Sequence, residues 1–162
     1  MYSFDLATLR PASETMAEKY SGEIPRVDTL LDSSLDSVDA AEAAVMGVAL
    51  ELGFPEEELH QIGMAVRESM VNAVVHGNRY HARKKVHLTV LRSHDHLTIV
   101  IRDEGEGFDL NSLPDPLAEE NLLKQSGRGL LLIQAFVDEL HVSRRDPAGT
   151  EVRMVKYLAK AS

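Results

Sequence analysis

Hydrophobic positions recur with a helical period over three stretches of the chain and alternate over several others. Val38, Ala41, Val45, Val48 and Leu52 share one face of a helix that opens at Asp36, read as an N-cap with Asp39 three residues on, and stops at Gly53. Pro55 suits the first turn of a second helix, where Glu56, Glu57 and Glu58 complement the dipole. Its core stripe is Ile62, Val66, Met70 and Ala73. Met64, Val71 and Val75 fall on the far side, so this helix is apolar nearly all round and expected to be deeply buried. It should run to about His76, with Gly77 and Asn78 as C-cap. Val86, Leu88 and Val90 alternate along one strand and Leu97, Ile99 and Ile101 along another, a hairpin turning at Ser93 to Asp95. Arg26 to Asp32 reads as an earlier strand, and Gly129 to Phe136 as an apolar helix. Leu140 to Arg144 and Thr150 to Tyr157 read as two more strands, joined by the turn Asp146-Pro147-Ala148-Gly149. This order predicts a layered α/β domain with helices on a mostly antiparallel sheet. Residues 1–24 have weak periodicity and read as an extension, either loosely attached or an arm for a partner, with a short helix around Glu14 to Lys19.

The length of 162 residues fits a single domain, here 25–162 behind the extension. Seventeen basic against 26 acidic side chains give a net charge of −9, which removes the global basic footprint of a nucleic-acid or anionic-membrane binder. With 44% hydrophobic residues but only 5% aromatic ones, the core must be aliphatic. The absence of cysteine excludes disulfides, thiol catalysis and cysteine metal sites. No signal peptide and no apolar run of about 20 residues is evident, so a soluble, cytoplasmic protein is expected.

The candidate chemistry begins on the second helix. Glu68, Asn72 and His76 are spaced i, i+4, i+8, each turned ~40° and raised ~6 Å from the last, so they line one flank between apolar surfaces. Burying a carboxylate and a carboxamide there costs several kcal/mol unless each has a partner. That partner is either structural (Arg67, Arg79 or a backbone amide) or a ligand, with Asn72 facing a hydrated metal and Glu68 taking a proton. Next, Asp103 ends a strand ahead of Glu104-Gly105-Glu106-Gly107-Phe108-Asp109. Without a later bidentate Glu this is not an EF-hand. The paired glycines let backbone approach a flat ligand, and Asp103 is set to accept from an amino group, although acid-glycine turns after strands are also common without any ligand. The stretch from Glu104 to Ser126, with Gly105, Gly107, Pro114 and Pro116, is long enough to be either functional or disordered. Ser126-Gly127-Arg128-Gly129-Leu130 then opens a helix, either as an anion site built of free amides or as a plain junction; it is neither a Walker A loop nor a dinucleotide fingerprint. Gly149-Thr150 opens the last strand, its hydroxyl facing a ligand or merely starting the strand. His94 and His96 read as polar turn positions rather than metal ligands.

In order and separation, these segments resemble the boxes of the GHKL (Bergerat-fold) ATP-binding superfamily. Glu68 to Asn78 is similar to its N box, Asp103 to Phe108 to its first glycine box, Gly127-Arg128-Gly129 to its second and Gly149-Thr150 to its last. Within the superfamily the chain is most similar to bacterial anti-sigma factor serine kinases of the RsbW/SpoIIAB type, because it is little more than the ATP domain, its lid between Phe108 and Ser126 is short, and Ser-Gly-Arg-Gly-Leu-Leu-Leu-Ile is a familiar form of their second glycine box. With no dimerising helical pair bearing a phosphoacceptor His read ahead of the domain and no transducer domain read after it, a two-component histidine kinase and the gyrase, mismatch-repair or chaperone relatives are not expected. The resemblance implies a two-layer α/β (α+β) sandwich with a mixed, mostly antiparallel sheet and helices on one face. It also implies a cytoplasmic protein serine/threonine kinase using ATP and Mg²⁺. Its partners would be a STAS-type anti-sigma factor antagonist and a sigma factor, and it would form a homodimer. Alternatives are an ATP-gated anti-sigma or partner-binding module with little or no kinase activity and a relative that binds no nucleotide. By position the likeness makes Glu68 the general base and Asn72 the Mg²⁺ ligand, and puts the adenine on Asp103. Nucleotide contacts would come from His76, Gly105, Gly107, Phe108, Ser126, Gly127, Arg128, Gly129, Leu130 and Thr150. One departure stands out: many relatives carry Asp-Pro after the N box, where this chain has Tyr80-His81-Ala82.

Overall fold

A computed structural model describes residues 2–5, 22–105 and 127–159. Its strands are β1 (Tyr2–Asp5), β2 (Ile24–Asp32), β3 (Lys85–Arg92), β4 (His96–Arg102), β5 (Glu139–Arg144) and β6 (Thr150–Tyr157). The helices are α1 (Asp36–Leu52), α2 (Glu56–Val71) with a π-helical continuation (Asn72–Gly77), and α3 (Gly127–Phe136). One sheet runs in the order β1-β5-β6-β4-β3-β2. Five strands pair antiparallel in sequence of neighbours, and β1 joins the edge parallel to β5, with Tyr2 opposite Leu140 and Asp5 opposite Ser143.

The alternation read from the sequence sets the register. Val86, Leu88 and Val90 point to the helical side, as do Leu97, Ile99 and Ile101, and all six are at most 1% exposed. Ile62, Val66, Met70 and Ala73 of α2 and its continuation meet them, joined by Val38, Ala41 and Val45 of α1 and by Leu130 and Ile133 of α3. The helices therefore cover one face of the sheet. On the other face, Leu91 and Val100 make a small buried pair. Among the described residues no helix is long and apolar enough to cross a membrane.

Four local expectations are corrected. Residues 2–5 form an edge strand where none was expected, because four residues are too few to show a period and main-chain pairing alone recruits them. Asp36 is the first residue of α1 and Leu35 its N-cap, with no side-chain cap bond; Asp36 and Asp39 instead sit in the first turn, facing the positive end of the dipole. Pro55 is likewise the N-cap of α2 rather than part of its first turn. The far side of α2 is covered only in part: Met64, Val71 and Val75 are half-buried. The possible helix at Glu14 to Lys19 lies outside the described residues.

The largest correction concerns the end of the second helix. From Asn72 to Gly77 the chain widens into a π-helix, a rare form that concentrates at functional sites. The Asn78 N–H reaches back to the Ala73 carbonyl at 2.8 Å and the Tyr80 N–H to Val74 at 2.9 Å. Neither Gly77 nor Asn78 caps by turning left-handed. Asn78 is right-handed (φ −79°), and the positive φ angles fall on Arg79 (51°) and Tyr80 (59°).

Candidate functional site

Two polar clusters flank the π-helical turn. The first is built from Glu68, in the last turn of α2, and Asn72, where the π-helix begins. Both are half-buried. The opening of α3 rests directly on them: a Cβ placed on Gly129 would lie 2.8 Å from Asn72 Nδ2 and 3.3 Å from Glu68 Oε2. Glycine at this position thus lets a helix N-terminus come within contact of a carboxylate and a carboxamide. Arg67, one of the structural partners considered for Glu68, is engaged elsewhere, pairing with Asp39 and Glu42 of α1, each at 2.8 Å. Among the described residues neither Glu68 nor Asn72 has a side-chain hydrogen-bond partner. His76, the third member of the expected flank, is exposed, because the widened turn carries it away from that line.

The second cluster surrounds Asp103, which is 6% exposed just beyond the end of β4. Three glycines make room for it. A Cβ on Gly77 would sit 2.6 Å from the Asp103 carboxylate, one on Gly105 only 1.9 Å from the Gly77 carbonyl oxygen, and one on Gly149 2.0 Å from the Asp103 carbonyl oxygen. Gly77 is therefore a close-approach residue rather than a cap. The Asp103 Oδ1 accepts from the N–H groups of Gly105 (3.0 Å) and Thr150 (3.3 Å). Its backbone N–H donates to the Thr150 carbonyl (3.0 Å), and its carbonyl accepts from Arg145 Nη1 (2.6 Å). Oδ2 has no partner among the described residues and remains available to a ligand donor.

Burial holds the Asp103 carboxyl above the ordinary carboxylate range, against the pull of the Gly105 and Thr150 amides and of the charges on Arg145 and Lys84. Because its folded value lies above the unfolded one of about 3.9, its contribution to stability is present below that pH and lost as pH rises through the folded value. Ionised Asp103 thus costs stability. Nucleotide-free Asp103→Asn should gain more on wild type at about pH 7 than at about pH 3.5 in thermal denaturation. A difference that does not move with pH would show that the carboxyl is not raised.

The π-helix joins the two clusters. Asn72 starts it and Gly77 ends it, so the contacts to α3 and to Asp103 are separated by less than ~8 Å along one axis. Thr150 is buried and reaches Asp103 through its main chain rather than its hydroxyl. Leu130 is a core residue at 4% exposure. Gly127 and Gly129 both lie in the first turn of α3. Gly107, Phe108 and Ser126, the side chain of Arg128 and the lid between Phe108 and Ser126 lie outside what the structure describes. His96, at the hairpin, bonds Ser93, Asp95 and Glu23.

Sequence reasoning missed Asn78, Gly77 as a contact residue, and Arg145. Asn78 is 1% exposed and its side chain makes three hydrogen bonds. An Asn after a Gly at a helix end reads as a cap, and no spacing pattern separates that role from a buried bridge.

Residues 31–156 match the family model described as histidine kinase-like ATPase domain. The anti-sigma F factors of Bacillus thuringiensis (strain Al Hakam), Bacillus mycoides (strain KBAB4) and Bacillus cereus (strain AH187) are each 32% identical over 124 residues, 75% of this chain and 85% of theirs. Among solved structures, the chain is similar to the RsbU and RsbW domains of a Mycobacterium tuberculosis protein, with a TM-score of 0.60 at 17% identity. That match covers 85% of this chain but only 34% of the other, so this chain spans about a third of that two-domain structure and shares its fold in that part.

Proposed function

We propose, from the premise that this chain belongs to the histidine kinase-like ATPase domain family, that it is a cytoplasmic ATP-dependent protein serine kinase. It would phosphorylate a serine of a small STAS-type anti-sigma factor antagonist and thereby switch a sigma factor between free and bound states, acting as a homodimer. The observation that carries this reading is the pairing of Glu68 and Asn72, both without a side-chain partner among the described residues, with the glycine-opened start of α3. A base, an oxygen ligand and the amides of a helix N-terminus would together meet the needs of phosphoryl transfer, which are positioning and charge neutralisation. The Asp103 pocket supplies the complementary requirement, a carboxylate oxygen able to accept from the adenine amino group and thus to select the base.

The residues fit Mg²⁺ as well as nucleotide. Mg²⁺ keeps several waters and takes one or two protein oxygens beside phosphate oxygens, and Asn72 Oδ1 would provide one. When bound, the ion neutralises charge across the phosphates. The amides of Gly127 and Gly129 would hold phosphate oxygens, while Gly105 lets the chain close on the base and Thr150 fixes Asp103 through its N–H. Glu68 would take the proton of the serine hydroxyl as that oxygen bonds to the γ-phosphorus and the bond to the ADP oxygen breaks.

Mg-ATP at about 100 times its Kd should raise the unfolding free energy by about 2.7 kcal/mol, and Asp103→Ala should abolish that gain. Incubated with Mg-ATP and its antagonist, the protein should form phosphoserine. Nucleotide binding and antagonist capture with no phosphate moved would establish the ATP-gated binding module instead, and no thermal gain at all would remove both readings.

A further inference from the structure

We propose that Asn78 is the positioning residue for the carboxylate that reads the adenine, an inference that rests on the adenine role given to Asp103 above. The geometry is that of a clamp on one peptide plane. The plane between Asp103 and Glu104 carries two polar groups. Its carbonyl, on Asp103, accepts from Arg145 Nη1 at 2.6 Å. Its N–H, on Glu104, donates to Asn78 Oδ1 at 2.8 Å. Rotation of this plane would swing the Asp103 side chain out of its glycine-lined pocket, so the two bonds together fix where the carboxylate points.

Of the two clamps, Asn78 is the rigid one. It is 1% exposed, whereas Arg145 is half-buried on a turn beside β6. Its Nδ2 donates to Ser33 Oγ (2.9 Å), beyond the end of β2, and to the Lys85 carbonyl (3.0 Å) at the start of β3. The Ser33 hydroxyl donates in turn to the Lys84 carbonyl. Three of the four hydrogen-bond positions of the carboxamide are thereby used, and its rotamer is set from the sheet side. A second tie runs the other way, from the Lys85 N–H to the Glu104 carboxylate. The neighbouring Gly77 sets how close the π-helix and the pocket can come, since a Cβ there would lie 2.6 Å from the Asp103 carboxylate. The dipeptide Gly77-Asn78 thus passes the position of the π-helix to the base-reading turn, Gly77 by contact and Asn78 by hydrogen bond.

The test compares Mg-ATP with Mg-ITP, whose base carries a carbonyl in place of the amino group, by calorimetric titration of wild type, Asn78→Ala and Asn78→Asp. Wild type should prefer ATP by roughly 10- to 150-fold, the worth of a hydrogen bond to a charged acceptor. Both variants lose the donors to Ser33 and Lys85, so both should unfold at lower temperature. Only Asn78→Asp keeps an oxygen for the Glu104 N–H. It should retain most of the preference, while Asn78→Ala should lose about tenfold or more of it. A purely structural role would move the two alike. Equal loss in both variants, or a wild-type ratio in Asn78→Ala, would overturn the proposal. If a variant does not fold, amide exchange in the nucleotide-free wild type decides: the Glu104 amide should be protected like those of the sheet, and exchange at the rate of an open turn would refute the clamp. A wild type that binds ATP and ITP equally would instead fail the adenine reading of Asp103, and this inference with it.

Discussion

Alanine at position 105 is expected to abolish nucleotide binding and to lower the stability of the ligand-free protein by about 1–3 kcal/mol, the usual cost of forcing atoms into a filled space. The added Cβ would fall 1.9 Å from the carbonyl oxygen of Gly77 and 2.2 Å from its carbon. These are main-chain atoms of a helix end, so no side-chain rotamer relieves the overlap. The turn after β4 must back away from the π-helix and carry Asp103 with it, out of reach of the Thr150 amide. Urea unfolding measures the first effect and the Mg-ATP thermal shift the second. Gly47→Ala is the matched control. It lies exposed inside α1 with nothing within 4 Å of its added Cβ, so it should raise stability by up to about 1 kcal/mol and leave nucleotide binding alone. A Gly105→Ala protein with wild-type affinity for Mg-ATP would show that the contact between the two backbones is not required.

That contact also marks the limit of what can be read from sequence. Alternation in Val86 to Val90 and Leu97 to Ile101 picks out the side of each strand that packs on the helices, and all six of those residues are buried there; it does not show that Thr89, Thr98 and Val100 on the opposite face are buried as well. Helical spacing in Val38 to Leu52 does the same for α1. These are local consequences of a period. The boxes Glu68 to Asn78, Asp103 to Gly105 and Gly149-Thr150 were visible as residue types suited to chemistry, and the described parts of them converge on the π-helical turn. What a period cannot show is how helix meets turn. The π-helix leaves no mark on the pattern of Ala73 to Gly77, and its two ends meet Asp103 and the start of α3, which lie far away in the sequence. Gly77 and Asn78 carry residue types that caps also use, so their tertiary roles were hidden behind a sufficient local explanation. Arg145 follows the charged end of β5 and belongs to no periodic pattern, so nothing local marks that its guanidinium donates to the Asp103 carbonyl, 42 residues away in the chain.

Glu68→Gln should reduce phosphotransfer to the antagonist serine by about 10²- to 10⁴-fold, the range of general-base catalysis, with Mg-ATP affinity close to wild type. The substitution keeps size and hydrogen-bonding reach and removes only the capacity to hold a proton. The surroundings make that the relevant loss. Among the described residues no cation pairs with Glu68, because Arg67 turns toward Asp39 and Glu42, so the change leaves no orphaned charge to unfold the site. Its neighbour Asn72, one helical turn away, keeps its proposed place as Mg²⁺ ligand. Asn72→Ala should therefore behave oppositely, weakening Mg-ATP binding itself. Single-turnover phosphoserine formation read beside the thermal shift separates the two: Glu68→Gln loses rate and keeps the shift, and Asn72→Ala loses the shift. A Glu68→Gln protein that phosphorylates at the wild-type rate would transfer the base to another group. The carboxylate would then act, if at all, through its field on the first turn of α3, and the rate would respond to the charge at position 68 rather than to its proton.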